Sequence, residues 1–353
     1  MIEPGADPTD VRDRIARGFE RFALDAAGRS PLYVEIARTV AATDRVLTFL
    51  ATMPEPKWQP NVLLAVVRYL YGTPGSGGEF VAVVERRADE IAEVMAVRST
   101  QTNEPARCAM LLPVLARLPQ PVALLEVGAA AGLCLLPDYY TYGYGEHVVG
   151  PSAHSGVKSP IFSCRAGPGT PLPAHNVEVA WRAGLDVHPV NLSDEAEVRW
   201  LEALVWPGEE YRLPRLRAAV EVARAHPPRV VRGDLRTDLR ALASEAPGDA
   251  TLVVFHTAVL GYVLDARQRE AFATAMSDGG AVWVANEAPQ NIPGMSHRRG
   301  AHPEQPSSFV WTASRPRGPT DTEPGSTGCR TRGSALEGRA PATDEFSGRS
   351  RST

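Results

Sequence analysis

The sequence predicts an α/β protein with a mostly parallel sheet, a helical cap before it and a disordered tail after it. Three short, continuously apolar runs, Val122–Val127, Thr251–Phe255 and Ala281–Ala285, are typical of strands that are buried on both faces of a parallel sheet. Helical patterns separate these runs, and alternating strands and helices build parallel sheets through right-handed crossovers. The carboxyl ends of such strands share one edge of the sheet, where ligands usually bind.

Residues 1–120 are predicted to form a helical bundle or cap. Apolar residues from Val11 to Phe22 recur at the three- and four-residue spacing of an amphipathic helix, which predicts a helix over Thr9–Ala26. No strand pattern occurs in this part of the sequence. Four further helices are predicted here, over Pro31–Ala51, Trp58–Tyr71, Phe80–Val97 and Glu104–Leu118.

Residues 121–296 are predicted to form the α/β domain. After the first strand, Gly128–Leu136 has the pattern of a turn followed by a helix. The other predicted elements are a long loop over Gly143–Ala174, a hairpin or strand pair over Val177–Val190, a helical region over Asp194–Ala225, a strand over Arg229–Arg232 and a helix over Asp265–Met276.

The remaining residues, 297–353, are rich in Arg, Pro, Gly, Ser and Thr and lack hydrophobic periodicity. A segment of this composition buries too little apolar surface to offset the entropy lost on ordering. Disorder is therefore predicted for this tail.

The composition excludes several classes of function. The chain of 353 residues carries a formal net charge of -4, so it offers no basic field to a nucleic acid or an anionic membrane. Its four cysteines form no CxxC pair and no histidine pair accompanies them, so neither a disulfide framework nor a metal site is predicted. The charged N-terminus lacks the apolar core of a signal peptide, and no apolar run is long enough to span a membrane. A cytoplasmic protein is predicted, with its oligomeric state left open.

The strongest candidate for a ligand site is Leu124–Gly132, LLEVGAAAG. Gly128 permits a tight turn off the strand, and the small residues Ala130 and Gly132 let a ligand approach the backbone. Glu126 can accept a hydrogen bond from a ligand amine. The alternative is a strand-to-helix turn that needs small residues only for packing. The spacing is E-x-G-x-x-x-G rather than the G-x-G-x-x-G of dinucleotide enzymes, which argues against a nicotinamide cofactor.

This motif resembles the first motif of class I S-adenosylmethionine-dependent methyltransferases, in which an acid and one further residue precede a glycine-rich loop. The resemblance implies that Glu126, Gly128, Ala130 and Gly132 contact the cofactor, with Asp186 at its ribose and Asp234 at its adenine amine. A turn before a proline and a helix N-cap are the alternative roles of the two aspartates.

Polar residues elsewhere are candidates for catalysis and substrate binding. His256 ends the Thr251–Phe255 strand at the edge that faces the transferred methyl group in methyltransferases, and histidine is a common general base. A buried structural histidine is the alternative. The candidate substrate-binding residues are Asn103, Glu104 and Arg107 before the sheet, Tyr142 in an aromatic loop, and Asn286 and Glu287 after the last apolar run.

Six blocks in order resemble a family of uncharacterised proteins, found mainly in actinobacteria, that is named only as a domain of unknown function. The blocks are RSTQTNEPARCAMLLPVLA, LLEVGAAAGLCLLPDYYTYGYG, RAGLDVHPVNLSDEAEVRWLEALVWP, RVVRGDL, LVVFHTAVLGYV and VWVANEAP. The resemblance covers roughly residues 15–296 and implies a Rossmann-like methyltransferase-type fold behind a helical N-terminal region.

After the last block this chain departs from the pattern of similar chains, which continue as regular strands. We interpret the departure as a shift of the coding frame near residues 297–312, which is expected to leave the neighbouring strand as an unpaired edge.

The leading functional hypothesis is an S-adenosylmethionine-dependent methyltransferase of a small-molecule substrate, or a protein that retains that fold. The first alternative is a non-catalytic module that binds a nucleotide or metabolite. It is favoured because no substrate motif such as N/D-P-P-Y follows the strand that ends at Phe255. The second alternative is a nicotinamide-dependent oxidoreductase.

Overall fold

A computed structural model of the chain describes residues 8–101, 103–154, 156–167, 169–262, 265–278, 280–287, 291–292 and 310–314. Its N-terminal part is helical, as predicted. The helices there are α1 (Pro8–Ala26), α2 (Pro31–Ala41), α3 (Asp44–Ala51), α4 (Pro60–Tyr71), α5 (Gly77–Arg86), α6 (Ala88–Val97) and α7 (Cys108–Leu115).

Two of the predicted helices are each divided in two. The prediction over Pro31–Ala51 is interrupted at Thr43, whose hydroxyl donates a hydrogen bond of 2.6 Å to the carbonyl of Thr39. Asp44 then places a carboxylate in the first turn of α3, where it complements the helix dipole. The helix predicted over Phe80–Val97 is likewise two helices, because it is interrupted at Arg87, which lies between α5 and α6.

The main sheet has six strands in the order β6-β5-β1-β7-β8-β9. Its strands are β1 (Val122–Val127), β5 (Val179–Asp186), β6 (Val230–Arg232), β7 (Thr251–Thr257), β8 (Val282–Glu287) and β9 (Val310–Ser314). The first five run parallel, while β9 pairs with β8 in the antiparallel direction. The prediction of a mixed α/β protein with a mostly parallel sheet is therefore confirmed.

Three predictions about these strands are corrected. The expected hairpin over Val177–Val190 is the single strand β5, because its residues pair with β1 on one side and β6 on the other. Asn286 and Glu287 lie within β8 rather than after it. The expected unpaired edge is occupied, because β9 pairs with β8. The rest of the tail predicted to be disordered lies outside the described residues.

A second, three-stranded sheet lies in the region predicted to be an aromatic loop and a long loop. It consists of β2 (Thr141–Tyr144), β3 (His147–Val149) and β4 (Ile161–Ser163), in the order β3-β2-β4. Burial alternates along β2 and β4, so one face packs inward and the other faces solvent. These short strands were not predicted because the region is rich in glycine and proline, which are typical of loops.

The turn after β1 does not lead into an α-helix, contrary to the prediction for Gly128–Leu136. Two short 3₁₀ turns follow instead, at Leu133–Leu135 and Pro137–Tyr139. The buried Asp138 carboxylate accepts two hydrogen bonds of 2.7 Å from the Arg182 guanidinium in β5, which fixes this segment against the sheet.

The remaining helices cover the sheet and join it to the cap. They are α8 (Glu195–Ala203), α9 (Arg212–Ala225), α10 (Leu239–Ala243) and α11 (Ala266–Asp278). Trp200 of α8 is fully buried in the apolar core of the cap, and its indole donates to the carbonyl of Ser99 at 3.2 Å. The cap is therefore packed directly against the α/β part. No helix in the described ranges is long and apolar enough to cross a membrane.

Candidate functional site

The turn after β1 has an unusual backbone. Gly128, Ala130 and Gly132 have φ angles of 71°, 48° and 70°, in the left-handed region that glycine adopts readily and alanine rarely. The Ala130 amide donates a hydrogen bond of 2.8 Å to Oδ2 of Asp186, and the Ala130 carbonyl accepts one of 3.0 Å from the amide of Val190. The loop after β5 therefore holds the strained alanine in place.

Protein side chains fill the space beside two of these glycines. A Cβ at Gly128 would lie 2.4 Å from a Val259 methyl group, and one at Gly132 would lie 2.7 Å from Cγ of Pro228. Packing against protein therefore already requires both glycines. Gly128 remains half-buried, whereas residues 129–132 are buried.

Asn103, predicted from the sequence to bind substrate, lies in the polar segment before α7 and reaches this turn. Its side-chain amide donates to the carbonyl of Ala129 at 3.0 Å, and its oxygen accepts from the amide of Leu133 at 3.2 Å. Asn103 thus bridges both ends of the turn, and its hydrogen-bonding groups face protein rather than a ligand.

The predicted edge residues divide between the two faces of the sheet. Side chains alternate along a strand, so Glu126 shares a face with Leu124, and Thr257 with Phe255, in the core that packs under α7. His256 points to the opposite face, where Trp283 and Phe272 surround it. The sequence predicted one edge for these groups, and the structure adds that they lie on opposite faces of the sheet there.

His256 is fully buried, and protein groups occupy both of its ring nitrogens. Nδ1 lies 2.8 Å from Oε1 of Glu287, and Nε2 accepts a hydrogen bond of 2.9 Å from the indole of Trp283. A general base needs a free nitrogen within reach of the substrate proton, and here neither is free. The geometry therefore contradicts the predicted catalytic role of His256 and matches the alternative of a structural histidine.

Glu287 is also a structural residue in this arrangement. The same Oε1 accepts hydrogen bonds from the backbone amides of Val259 at 2.6 Å and Leu260 at 3.1 Å. Ala258, with a φ of 57°, turns the chain so that these amides converge on the carboxylate. Oε1 of Glu287 therefore closes the loop after β7 and has no capacity left for a substrate, while Oε2 is buried without a hydrogen-bond partner among the described residues. The predicted substrate role of Glu287 stays a prediction for Oε2 alone.

The other face carries a buried carboxyl group with an unused oxygen. Glu126 is 3% exposed, and its Oε2 has no hydrogen-bond partner among the residues that the structure describes. Burial raises the pKa of Glu126 well above its usual range, while the nearby Arg107 guanidinium acts in the opposite direction. A buried unpartnered acceptor in a native protein calls for an explanation such as a bound ligand or water.

Arg107 reaches the same edge of the sheet from the segment before α7. Its Nη1 donates to the hydroxyl of Thr257 at 2.9 Å and to the carbonyl of Thr257 at 3.3 Å. The side chain is half-buried, so the guanidinium lies at the boundary between the sheet edge and solvent. The sequence predicted Arg107 for this site but missed Thr257. Because side chains alternate between the two faces of a strand, Thr257 lies on the same face as Phe255, and this alternation is the signal that could have identified it.

Asn286 is a second buried acceptor on this face. It is 2% exposed, and within the described part of the chain its Oδ1 has no hydrogen-bond partner. In the register of the sheet Asn286 pairs with Thr257, whereas Glu126 pairs with Phe255. With strands about 4.8 Å apart and a rise of about 3.3 Å per residue, the Cα atoms of Glu126 and Asn286 lie roughly 12 Å apart across the sheet. We call Glu126, Arg107, Thr257 and Asn286 the edge site.

Three other predicted residues lie away from the edge site. Asp234 is paired with Arg236 on the surface, and that hydrogen bonding lowers the pKa of the Asp234 carboxyl. The Tyr142 hydroxyl is buried and donates to the carbonyl of Pro137 at 2.7 Å. Glu104 forms ion pairs with Arg212 and Arg215 of α9. All three have structural partners that satisfy them, so the predicted contacts with cofactor or substrate are not supported.

Cys134 follows the turn and lies near Glu126. A hydrogen bond with Cys108, together with burial, raises the pKa of the Cys134 thiol well above its usual range. A thiol held in its protonated form is a poor nucleophile. The described residues contain no cluster of His, Cys, Asp or Glu that could hold a metal ion.

The family of the chain follows from a comparison with family models. A model described as "Uncharacterized protein conserved in bacteria (DUF2332)" matches residues 16–318. The chain belongs to this family. No curated protein and no solved structure matches it.

The match places the cap, the sheet and its last strand within one family region. The DUF2332 region includes residues 297–312, where the sequence predicted a departure from the family, and it extends past the strand Val310–Ser314. The paired strand β9 agrees with this extent. The family description extends to bacteria in general and assigns no activity.

Proposed function

We propose that this DUF2332 chain is an S-adenosylmethionine-dependent methyltransferase that acts on a small molecule. The observation that carries the proposal is the buried Oε2 of Glu126, which has no hydrogen-bond partner among the described residues and lies two residues before the left-handed Gly128 at the carboxyl end of the central strand. An ammonium group is the natural partner for such an oxygen, and the methionine part of the cofactor carries one.

The topology supports this proposal. Counted in chain order, the six strands of the main sheet follow the order 3-2-1-4-5-6, which is the order of doubly wound nucleotide-binding sheets. From β1 the chain proceeds to β5 and β6 on one side of the sheet, and it then crosses back to β7 on the other side of β1. The reversal of strand order therefore lies beside the turn after β1. An antiparallel strand next to the fifth strand is also a feature of methyltransferase-type sheets.

The residues present fit the cofactor at this end of the site. Each oxygen of the Asp186 carboxylate accepts one backbone hydrogen bond, from Ala130 or His188, and retains a lone pair for a ribose hydroxyl. The segment directly after the turn, residues 133–139, forms two 3₁₀ turns rather than an α-helix, so this turn lacks the helix N-terminus that usually binds a pyrophosphate. S-adenosylmethionine has no phosphate, which favours it over NAD or ATP.

When bound, the cofactor would supply an electrophilic methyl group on its sulfonium. The chain's own contribution would be to hold and orient the reactants, which is the main requirement of methyl transfer. Glu126 and Asp186 are the residues proposed to hold the cofactor. Asn286, with its free Oδ1, is proposed to accept a hydrogen bond from the N–H or O–H of the substrate.

A second candidate function is binding without catalysis. Both nitrogens of His256 are occupied, and the Cys134 thiol is held protonated, so neither group offers a general base. A module that senses a metabolite needs the edge site but no base.

A thermal-shift panel tests both candidates. Ligand at a hundredfold excess over its Kd stabilises the folded state by about 2.7 kcal/mol. We expect S-adenosylmethionine and S-adenosylhomocysteine to raise Tm, with no comparable shift from NAD or ATP. No shift with either sulfur compound would overturn the methyltransferase proposal. Clear binding, without methyl transfer to any compound in a metabolite extract, would favour the sensor.

A further inference from the structure

We propose that Arg107 and Glu126 form a subsite for an α-amino carboxylate, with Arg107 binding the carboxylate and Glu126 the ammonium group. This inference deepens the proposed function, because the methionine part of the cofactor is one such group. It does not depend on it, because a free amino acid carries the same two charges.

Arg107 has N–H donors available to bind a carboxylate. A guanidinium has five N–H donors in a planar fork, and among the described residues only Nη1 of Arg107 forms hydrogen bonds, both to Thr257. Those two bonds fix the guanidinium at the carboxyl end of β7 while its other edge remains free. A fork fixed in this way suits the two parallel hydrogen bonds of a carboxylate.

Glu126 supplies the opposite charge deeper in the same site. Its side chain is 3% exposed, and Oε2 has no donor. A ligand ammonium would satisfy this oxygen and stabilise the ionised carboxylate. Arg107 would complete the match by neutralising the other end of a zwitterion.

The two side chains reach the same edge of the sheet without forming an ion pair with each other. No nitrogen of Arg107 lies within 4.0 Å of a Glu126 oxygen, although the Arg107 charge influences the Glu126 carboxyl. Glu126 pairs with Phe255 in β7, and Thr257 lies two residues further along the same face. The Cα atoms of Glu126 and Thr257 are therefore roughly 8 Å apart on one face of the sheet, and Arg107 is held at the second of these positions.

The experiment compares ligands that contain the amino-carboxylate group with one that lacks it. S-adenosylhomocysteine contains it, 5′-methylthioadenosine lacks it, and L-methionine represents the free amino acid. Binding to the full chain is measured by titration calorimetry for the wild type, Arg107→Met and Arg107→Lys, after circular dichroism has confirmed folding. Arg117→Met, which removes an exposed arginine just after α7, is the matched control.

We expect the wild type and the control to bind S-adenosylhomocysteine at least about tenfold more tightly than methylthioadenosine. Arg107→Met should abolish this preference without weakening methylthioadenosine binding, and Arg107→Lys should restore part of it by keeping the charge. Equal binding of both nucleosides by the wild type, or equal weakening of both by Arg107→Met, would overturn the subsite and leave the proposed function standing.

Failure of the proposed function gives a different result. If neither nucleoside binds but methionine or another of the common amino acids does, with loss of binding in Arg107→Met, the subsite stands and the cofactor proposal fails. If neither nucleoside nor any of these amino acids binds the folded wild type, the subsite is wrong.

Discussion

Glu126 is an acid in the interior of a parallel sheet, next to apolar neighbours that favour its neutral form. Its pKa is raised mainly by burial, and the Arg107 charge offsets only part of that effect. A ligand cation would favour the ionised form, so binding at the edge site should release a proton. The chemistry of the site is therefore coupled to pH through a single carboxyl group.

The first prediction concerns this coupling in the free protein. Between the unfolded pKa near 4.5 and the raised folded pKa, the folded chain holds a proton that the unfolded chain has lost. Stability should therefore fall as pH rises through this window, with a slope of up to about 1.4 kcal/mol per pH unit. In Glu126→Gln this component should be absent.

Urea unfolding of both proteins from about pH 5 to about pH 8 measures the difference. Parallel stability curves for wild type and Glu126→Gln over this range would show that the carboxyl group is not neutral in the folded chain.

His256 provides the second prediction at the residue scale. Trp283→Phe removes the donor to Nε2 and leaves a buried acceptor without a partner, which should cost about 1–3 kcal/mol of unfolding free energy. Trp181→Phe is the matched control, because Trp181 is half-buried in the same core and should cost less. Equal losses in both variants would argue against the Trp283–His256 hydrogen bond.

At the scale of elements, the turn after β1 holds its shape through protein contacts. Gly128→Ala places a methyl group against Val259 in a left-handed backbone, so we expect a loss of about 2 kcal/mol or more. Gly78→Ala in α5, where the added methyl group meets open space, should instead be neutral or stabilise by up to about 1 kcal/mol. Thermal unfolding of the two variants separates the requirement for glycine at the turn from a general effect of alanine.

The strands show what the sequence could predict and what it could not. Continuous apolar runs identified β1, β7 and β8, because only strands covered on both faces need them. In a strand that is apolar on both faces, the sequence pattern does not show which face each side chain occupies. The opposite orientations of Glu126 and His256 could therefore not be predicted. The 3₁₀ turns after Gly132 depend on contacts distant in sequence, such as the ion pair between Arg182 and Asp138.

At the scale of the whole molecule, the cap and the sheet together build the edge site. Asn103 and Arg107 precede α7, yet they contact the turn after β1 and the end of β7. The density of polar groups in this segment predicted its approach to the site. Its partners could not be predicted, because they depend on how the cap packs onto the sheet.

The last strand gives the prediction at this scale. Ending the chain after residue 309 removes β9 and leaves the β8 edge unpaired, so we expect a lower Tm and a tendency to aggregate. Ending it after residue 318 keeps the whole family region and should leave Tm unchanged. Calorimetry and light scattering on the two truncated chains check this, and equal Tm values would show that β9 contributes nothing to the sheet.

The central claim, that the carboxyl edge beside Glu126 binds a sulfur cofactor, is tested most directly by titrating S-adenosylhomocysteine into the full chain. We expect saturable binding at one site per chain, accompanied by proton release and weakened at least about tenfold in Glu126→Gln. Proton release is read from titrations in buffers of different ionisation enthalpy. A folded wild-type chain that gives no binding heat, or a Glu126→Gln variant that binds as tightly as the wild type, would contradict the claim.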